Sequence, residues 1–382
     1  ADGNCPYSPA TSVQCSPYWD LGWTWSKPAI ARIAVYDASG TPDDVFVAFF
    51  GGGWDRRESD QTGNFIYGVD ISTGDIVYKH NLGVAVPGSP SALDSDIDGF
   101  HDRIYFADSD GGIFRLQFPS PDDSAATGAD AGTLTRIFDF RAGFAGGGFP
   151  DRQRFFTRPV MAPALFTSSG YTWALALGSG DRANLDRYDD VNNPIDNFFF
   201  VLDVGDDVTR GRADLEAVNY SDLTGDFDCT ASESPLDPSV GNYGWYLSLR
   251  PNEKVVFDAT VINGHILFPT FDPTPGEFAA HNVPDECIPV SPGTPTPTPT
   301  PNVAFGGEEV ICKAAGIGRA YDLWFECGLG DYDENNDIYT GIEDYTIGGT
   351  TYVTFTTPPP DPDPTKEFVN VAGHVVTNWR QE

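Results

Sequence analysis

The run Asp94-Ser95-Asp96-Ile97-Asp98-Gly99-Phe100-His101-Asp102 leads straight into Arg103-Ile104-Tyr105-Phe106-Ala107. It begins D-x-D-x-D-G, the opening of an EF-hand-type calcium loop. The alternation has a physical cause. A hard cation takes about six to eight oxygens, and a chain curling around it turns every second side chain inward. Gly99 stands at the sixth position, where the chain bends sharply and a positive φ is cheap only without a Cβ. The expected Ca2+ ligands are the carboxylates of Asp94, Asp96, Asp98 and Asp102 and the backbone carbonyl of Phe100. Asp102 closes the loop at the ninth position, where a helical EF-hand waits for Glu at the twelfth. His101 occupies a non-ligand position and is expected to face solvent. A merely polar turn would need neither the alternation nor the glycine.

The residues after the loop set the fold class. Residues 103–107 alternate as a strand, Asp108-Ser109-Asp110-Gly111-Gly112 is a turn, and Ile113-Phe114-Arg115-Leu116 is a second strand. A calcium loop that feeds a hairpin, with no helix on either side, belongs to an all-β protein.

Outward from this hairpin, a similar order of elements returns at intervals of roughly 55–70 residues, a spacing that points to a repeat architecture. The first unit takes 26–29, 45–51, 65–70 and 76–78, with Ser72-Thr73-Gly74-Asp75 as its turn. The second takes 89–92, the loop, 103–108, 113–118 and an outer strand at 134–140. The third takes 157–160, 172–178, 197–203 and 215–220. The fourth takes 254–259, 265–270 and 319–325, and a partial fifth lies in 344–356. Four-stranded units repeating in this way predict a β-propeller, whole or partial, with long loop insertions. A β-sandwich is the competing fold, because strand alternation does not separate the two.

Residues 1–20 form a segment expected to be looped by a disulfide, 21–357 the propeller blades, and 358–382 a Pro-rich linker with a closing strand at 373–379. Within the blades, the insertion at about 288–311 contains a Thr-Pro repeat. It is expected to be a polyproline-like excursion and a candidate O-glycan acceptor. The chain begins Ala1-Asp2-Gly3 without Met, which reads as a processed or trimmed form.

Composition narrows the function. The 382 residues carry a net charge of −34, which repels nucleic acid and anionic lipid and suits divalent cations or plain solubility. No run is long and apolar enough to cross a bilayer as a helix, so no membrane insertion is expected. The aromatics (27 Phe, 16 Tyr and 8 Trp) fall largely on predicted strands and read as core. A second acidic stretch places Asp331, Asp333, Asn335 and Asp337 in alternation, but Asn336 stands where the glycine should be. It is the weaker metal candidate. No G-x-S-x-G or H-E-x-x-H is present, and the five His are scattered, so no catalytic residue is expected.

The six Cys form an even set without C-x-x-C, which points to disulfides and an oxidising exterior rather than to zinc or thioredoxin chemistry. Of the fifteen pairings six Cys allow, Cys5 with Cys15 and Cys287 with Cys312 are preferred, the second as a staple at the base of the Thr-Pro insertion.

The phrase Tyr67-Gly68-Val69-Asp70 with Thr73-Gly74 resembles the blade motif of quinoprotein-type propellers, in which the Asp and the Thr-Gly build the turn. A wider resemblance covers the chain from about residue 21 to its end. The calcium loop with Asp102-Arg103-Ile104-Tyr105-Phe106-Ala107-Asp108, the stretch Leu21-Gly22-Trp23-Thr24-Trp25-Ser26-Lys27-Pro28, the turn Gly178-Ser179-Gly180-Asp181-Arg182-Ala183-Asn184, the run Gly244-Trp245-Tyr246-Leu247-Ser248-Leu249 with Glu253-Lys254-Val255-Val256, the strand Gly316-Ile317-Gly318-Arg319-Ala320-Tyr321-Asp322, and the ending Asn378-Trp379-Arg380-Gln381-Glu382 follow one another in this order. Together they resemble the C-terminal propeller of the PilY proteins, the type IV pilus tip-associated adhesins.

The resemblance implies calcium at the same five residues, and a non-enzymatic surface protein acting in pilus assembly, retraction control or adhesion. It implies pilins or other filament subunits and host or surface ligands as partners, and an extracellular, cell-surface or fimbrial location. The family's propeller carries further blades before the first unit seen here, so either this chain is a fragment or an N-terminal propeller portion on another chain completes the ring as a partner. A structural or binding propeller of another extracellular filament or of the cell envelope is the alternative. A quinoprotein-type dehydrogenase is the third reading, although the adjacent Cys pair found in many quinoproteins is absent from the sequence. Mass mapping under non-reducing conditions should find Cys5 linked to Cys15. Two free thiols there would undo both the pairing and the oxidising compartment.

Overall fold

Successive residues of a strand point to opposite faces, and in this chain both faces of many strands are apolar. The computed structural model describes residues 17–36, 41–54, 62–121, 132–140, 154–166, 170–183, 197–223, 235–273, 287–289, 310–312, 317–335, 341–347 and 350–356. The first sheet is an antiparallel meander of β1 (Ala29–Tyr36), β2 (Pro42–Gly51), β3 (Phe65–Asp70) and β4 (Ile76–Asn81). The second repeats it with β5 (Ser91–Leu93), β6 (Arg103–Ala107), β7 (Gly112–Gln117) and β8 (Thr133–Asp139).

The third sheet holds β9 (Val160–Phe166), β10 (Gly170–Gly178), β11 (Phe198–Asp203), β12 (Glu216–Val218), β13 (Leu236–Asp237) and β14 (Asn242–Ser248). The fourth is built from β15 (Lys254–Val255), β16 (Thr260–Ile262) and β17 (His265–Asp272). After the short pair β18 (Cys287–Pro289) and β19 (Val310–Cys312), it is completed by β20 (Ile317–Trp324) and β21 (Gly330–Asn335). A hairpin of β22 (Gly341–Ile347) and β23 (Thr350–Thr356) follows. Among the described residues there is no α-helix.

Each sheet is local in sequence and packs on the next, and this separates a propeller-like fold from a sandwich, whose strands cross between two sheets. Strand β6 shows the logic. Ile104 and Phe106 pack with Phe49 and Ile66 of the first sheet. Tyr105 and Ala107, one residue out of phase, pack with Leu175 and Phe200 of the third. Strand β11 does the same one sheet further on. Phe200 stacks on Phe138 at 5.3 Å, while Phe199 stacks on Phe268 of the fourth sheet at 3.7 Å.

The third unit differs from the sequence reading. Residues 215–220 were expected to finish it, but β14 lies between β11 and the three-residue edge strand β12, which pairs with β14 in parallel. The reason is apolar content. Strand β14 sends the fully buried Trp245 and Leu247 into the core, whereas β12 buries only Val218.

In each of the first three sheets an Asp ends or directly follows an inner strand (β3, β6 and β11) and folds the turn after it. In the first, Asp70 Oδ1 accepts the amide of Ser72 at 2.7 Å, and Gly74 takes a φ of 78°. In the second, Asp108 Oδ1 accepts the amides of Asp110 at 2.9 Å and Gly112 at 2.8 Å. In the third, Asp203 accepts the amide of Gly205 at 3.2 Å. These are Asx-type turns.

Segments 1–16, 290–309 and 357–382 lie outside the described residues. They hold Cys5, Cys15, the Thr-Pro repeat and the expected closing strand. Strands β18 and β19 flank the Thr-Pro segment and set Cys287 directly opposite Cys312 in register, the arrangement a staple there requires.

Asp108 offers a test of the turn. It is fully buried, its Oδ2 finds no hydrogen-bond donor among the described residues, and Arg136 stands 3.9 Å away. Burial pushes its pKa up from 3.8 to about 6, against the pull of the two amides and Arg136. Because the folded pKa is the higher one, the contribution of Asp108 to stability is fully present below pH 3.8 and is lost as pH rises through about 6. Asp108→Asn keeps the Oδ1 acceptor and removes the charge. It should raise stability at pH 7 by on the order of 1–3 kcal/mol. Urea melts at pH 7 and pH 4 should show this gain shrinking at the lower pH.

Candidate metal centre

The acidic loop 94–102 joins β5 to β6 and is folded by its own carboxylates. Asp94 takes the amide of Asp98 on one oxygen at 3.1 Å and that of Gly99 on the other at 2.8 Å. Asp98 takes the amide of Phe100 at 2.8 Å. Asp102 reaches back to Ser95, accepting its amide at 2.7 Å and its hydroxyl at 2.6 Å. Gly99 has a φ of 93°, as the sixth position of such a loop demands.

One carboxylate oxygen from each of Asp94, Asp96 and Asp102 lies within 4.8 Å of the others. Calcium–oxygen bonds of about 2.3–2.6 Å put any two ligands of one ion within about 5 Å of each other. The donor set is hard and all-oxygen, so these three residues fit that ion. The Asp96 carboxyl is pushed above the usual carboxylate range, by loss of hydration first and then by the charges of Asp98 and Asp102. A cation would relieve that crowding.

The structure departs from the sequence reading at three points. Asp98 is not among the converging carboxylates; it accepts the hydroxyl of Ser120 at 2.9 Å, so the ligand set brought together is smaller than expected. His101 does not face solvent. It is half-buried, its amide donates to the Arg32 carbonyl at 2.7 Å, and its Nδ1 accepts the Arg32 amide at 3.3 Å. The loop thus pairs with the free edge of β1. Lastly, the second acidic stretch forms β21 over 330–335, so Asp331, Asp333 and Asn335 lie on an extended strand paired with β20 and do not curl around a point. Asp337 lies outside the described residues.

Other residues hold the loop, and the sequence did not point to them. The Arg32 guanidinium lies over the Phe100 ring at 4.0 Å and is clamped by Asp44 at 2.7 Å. Trp173 of β10 donates its indole N–H to the carbonyl of Ser95 at 3.3 Å. Arg103 Nε stands 3.4 Å from Asp102. Arg32 and Trp173 lie more than sixty residues away in the chain, and no local pattern marks them.

A second polar cluster sits between the third and fourth sheets. Glu253 is fully buried and accepts hydrogen bonds from Tyr321 at 2.8 Å, Tyr220 at 3.2 Å and the amide of Arg250 at 3.0 Å. Arg319, also buried, stands 3.4 Å from Glu253 and 3.1 Å from Asp272. Such a satisfied network is structural in character. It packs beside residues 178–183: the Val255 amide donates to the Ser179 carbonyl at 3.0 Å, and a Cβ on Gly178 would meet the Val255 side chain at 2.3 Å. The two motifs singled out in sequence are therefore one contact.

Fold and loop together define an all-β, propeller-like protein with an acidic loop at the junction of its first sheets. The chain matches no established family profile. A type IV pilus biogenesis factor PilY1 homolog from Xylella fastidiosa is 22% identical over 303 residues, which cover 70% of this chain and 19% of that protein's length. The crystal structure of the Pseudomonas aeruginosa PilY1 C-terminal domain superposes with a TM-score of 0.56 at 15% identity, over 89% of this chain and 73% of that domain. The chain is related to the PilY family, and its fold is of the PilY1 C-terminal type.

Ile97 supplies a test of the loop geometry that needs no metal. It adopts a φ of 62° and is 77% exposed. A β-branched residue in the left-handed region costs roughly 1–2 kcal/mol, and Asn tolerates that region better. Ile97→Asn should stabilise the protein by about 1 kcal/mol in urea melts. A loss of stability would contradict the loop conformation.

Proposed function

We propose that this chain is a calcium-binding, non-enzymatic part of a surface protein that acts in type IV pilus biogenesis. The observation that carries the metal reading is the convergence of Asp94, Asp96 and Asp102 within a loop of calcium spacing. The relation to PilY1 proteins supports the pilus reading. Asp94, Asp96 and Asp102 would supply the first oxygens to the ion. Asp98 would join by turning from Ser120, and the Phe100 carbonyl would complete the protein's share. Bound calcium neutralises a loop of four carboxylates and fixes the β5–β6 corner. Its role is structural and regulatory, setting whether the surface that contacts pilus subunits or an external ligand is ordered. The same reading places the protein outside the cell, where cysteines form disulfides.

Isothermal titration should give one calcium per chain with a Kd of about 10⁻⁵–10⁻³ M, the range of extracellular and weaker sensor sites. Asp96→Ala should weaken binding at least about tenfold, and Asp98→Ala less. Absence of heat in the wild-type chain would overturn the metal reading. For the pilus reading, the protein should copurify with pilins in sheared filament fractions. Its consistent absence from them would overturn that part alone.

A further inference from the structure

The acidic loop touches more of the molecule than the hairpin it belongs to. On one side it is bonded to the first sheet. His101 and Arg32 exchange backbone and ring hydrogen bonds at 2.7 and 3.3 Å, and Arg32 covers Phe100 at 4.0 Å while held by Asp44 of β2. Its base is bonded within the second sheet. The Asp102 amide donates to Leu93 at 3.1 Å, the Phe118 amide donates to Asp102 at 2.8 Å, and Ser120 donates to Asp98 at 2.9 Å. On the other side it is bonded to the third sheet, where Trp173 of β10 donates to the Ser95 carbonyl at 3.3 Å. Just before the loop, the Ser91 hydroxyl donates to the carbonyl of Pro159, at the start of β9.

The anchoring groups alternate with the converging carboxylates along the loop. Ser95 lies between Asp94 and Asp96, and His101 adjoins Asp102. The atoms that would meet a cation and those that grip the neighbouring sheets are thus separated by single residues. A loop drawn tight at 94, 96 and 102 has little freedom left at 95 and 101, because each residue has only two soft dihedrals.

We propose that this loop is a clamp across the first three sheets, with Trp173 as the positioning residue on the third, so that a bound cation locks the sheets against one another. The proposal rests on the calcium reading above and extends it from one hairpin to three sheets. Coupling of this kind is reciprocal: whatever protection calcium confers on the Trp173 contact, that contact returns to calcium affinity by the same factor.

Hydrogen exchange on the wild-type chain, with saturating calcium and with chelator, tests it. The clamp expects exchange to slow by roughly threefold or more on calcium addition at 29–36 and 170–178 as well as at 94–118. Trp173→Phe keeps an aromatic ring in place and removes the indole donor together with part of the ring volume. It should abolish the response at 170–178, leave that at 94–118, and weaken calcium binding several-fold in titration. A wild-type response confined to 94–118 while titration shows calcium bound would overturn the clamp and leave the calcium reading standing. An unchanged response and affinity in Trp173→Phe would overturn the role of Trp173. No binding by titration would overturn both the clamp and the metal site beneath it.

Discussion

The structure depends on strands that are buried on both faces. In a sheet with one wet side, alternate residues can be polar and the register is set by a single core. Here β6 and β11 lie between two neighbouring sheets, so adjacent residues serve different cores. Phe199 and Phe200 are consecutive and face the fourth and second sheets respectively. A slip of one residue would exchange the two sets and misfit both interfaces at once. That double requirement fixes register more tightly than turn chemistry alone, and it aligns four sheets in chain order.

A stack of this kind leaves its polar work to turns and edges. Strand ends carry the Asp-based turns at Asp70, Asp108 and Asp203, where a carboxylate satisfies amides that the ladder cannot reach. The edge of β1, which would otherwise present unpaired backbone groups, is met by His101 from the acidic loop. The loop is therefore an edge cover as well as the proposed cation site. Between the third and fourth sheets, Glu253 and Arg319 are buried together within a network of hydrogen-bond partners. Both clusters sit where sheets meet, and both join residues far apart in the chain.

Much of this was legible in advance, for identifiable reasons. The sheet membership of β2, β3, β6, β7, β10, β11, β17 and β20 followed from short apolar runs bounded by Gly and Asp, because a strand buried on both faces must be apolar throughout. The position of the acidic loop followed from the spacing of Asp94, Asp96 and Asp98 and from Gly99. The third sheet was misread at 215–220 because local alternation cannot show that a later strand, β14, inserts between two earlier ones. The stretch 331–335 was misread because the same alternation of acidic residues suits one face of a strand as well as the inside of a loop.

The sequence by itself determined the fold class, the repeat of sheets, and the loop in which carboxylates gather, because each is written in residues close together in the chain. The tertiary structure alone decided which carboxylates converge, that Asp98 turns to Ser120, that His101 is held by Arg32, and that Trp173 reaches Ser95. The last three of those outcomes depend on contacts across roughly 20–80 residues. Such contacts are set by how three sheets pack, and no local periodicity records the distance between sheets.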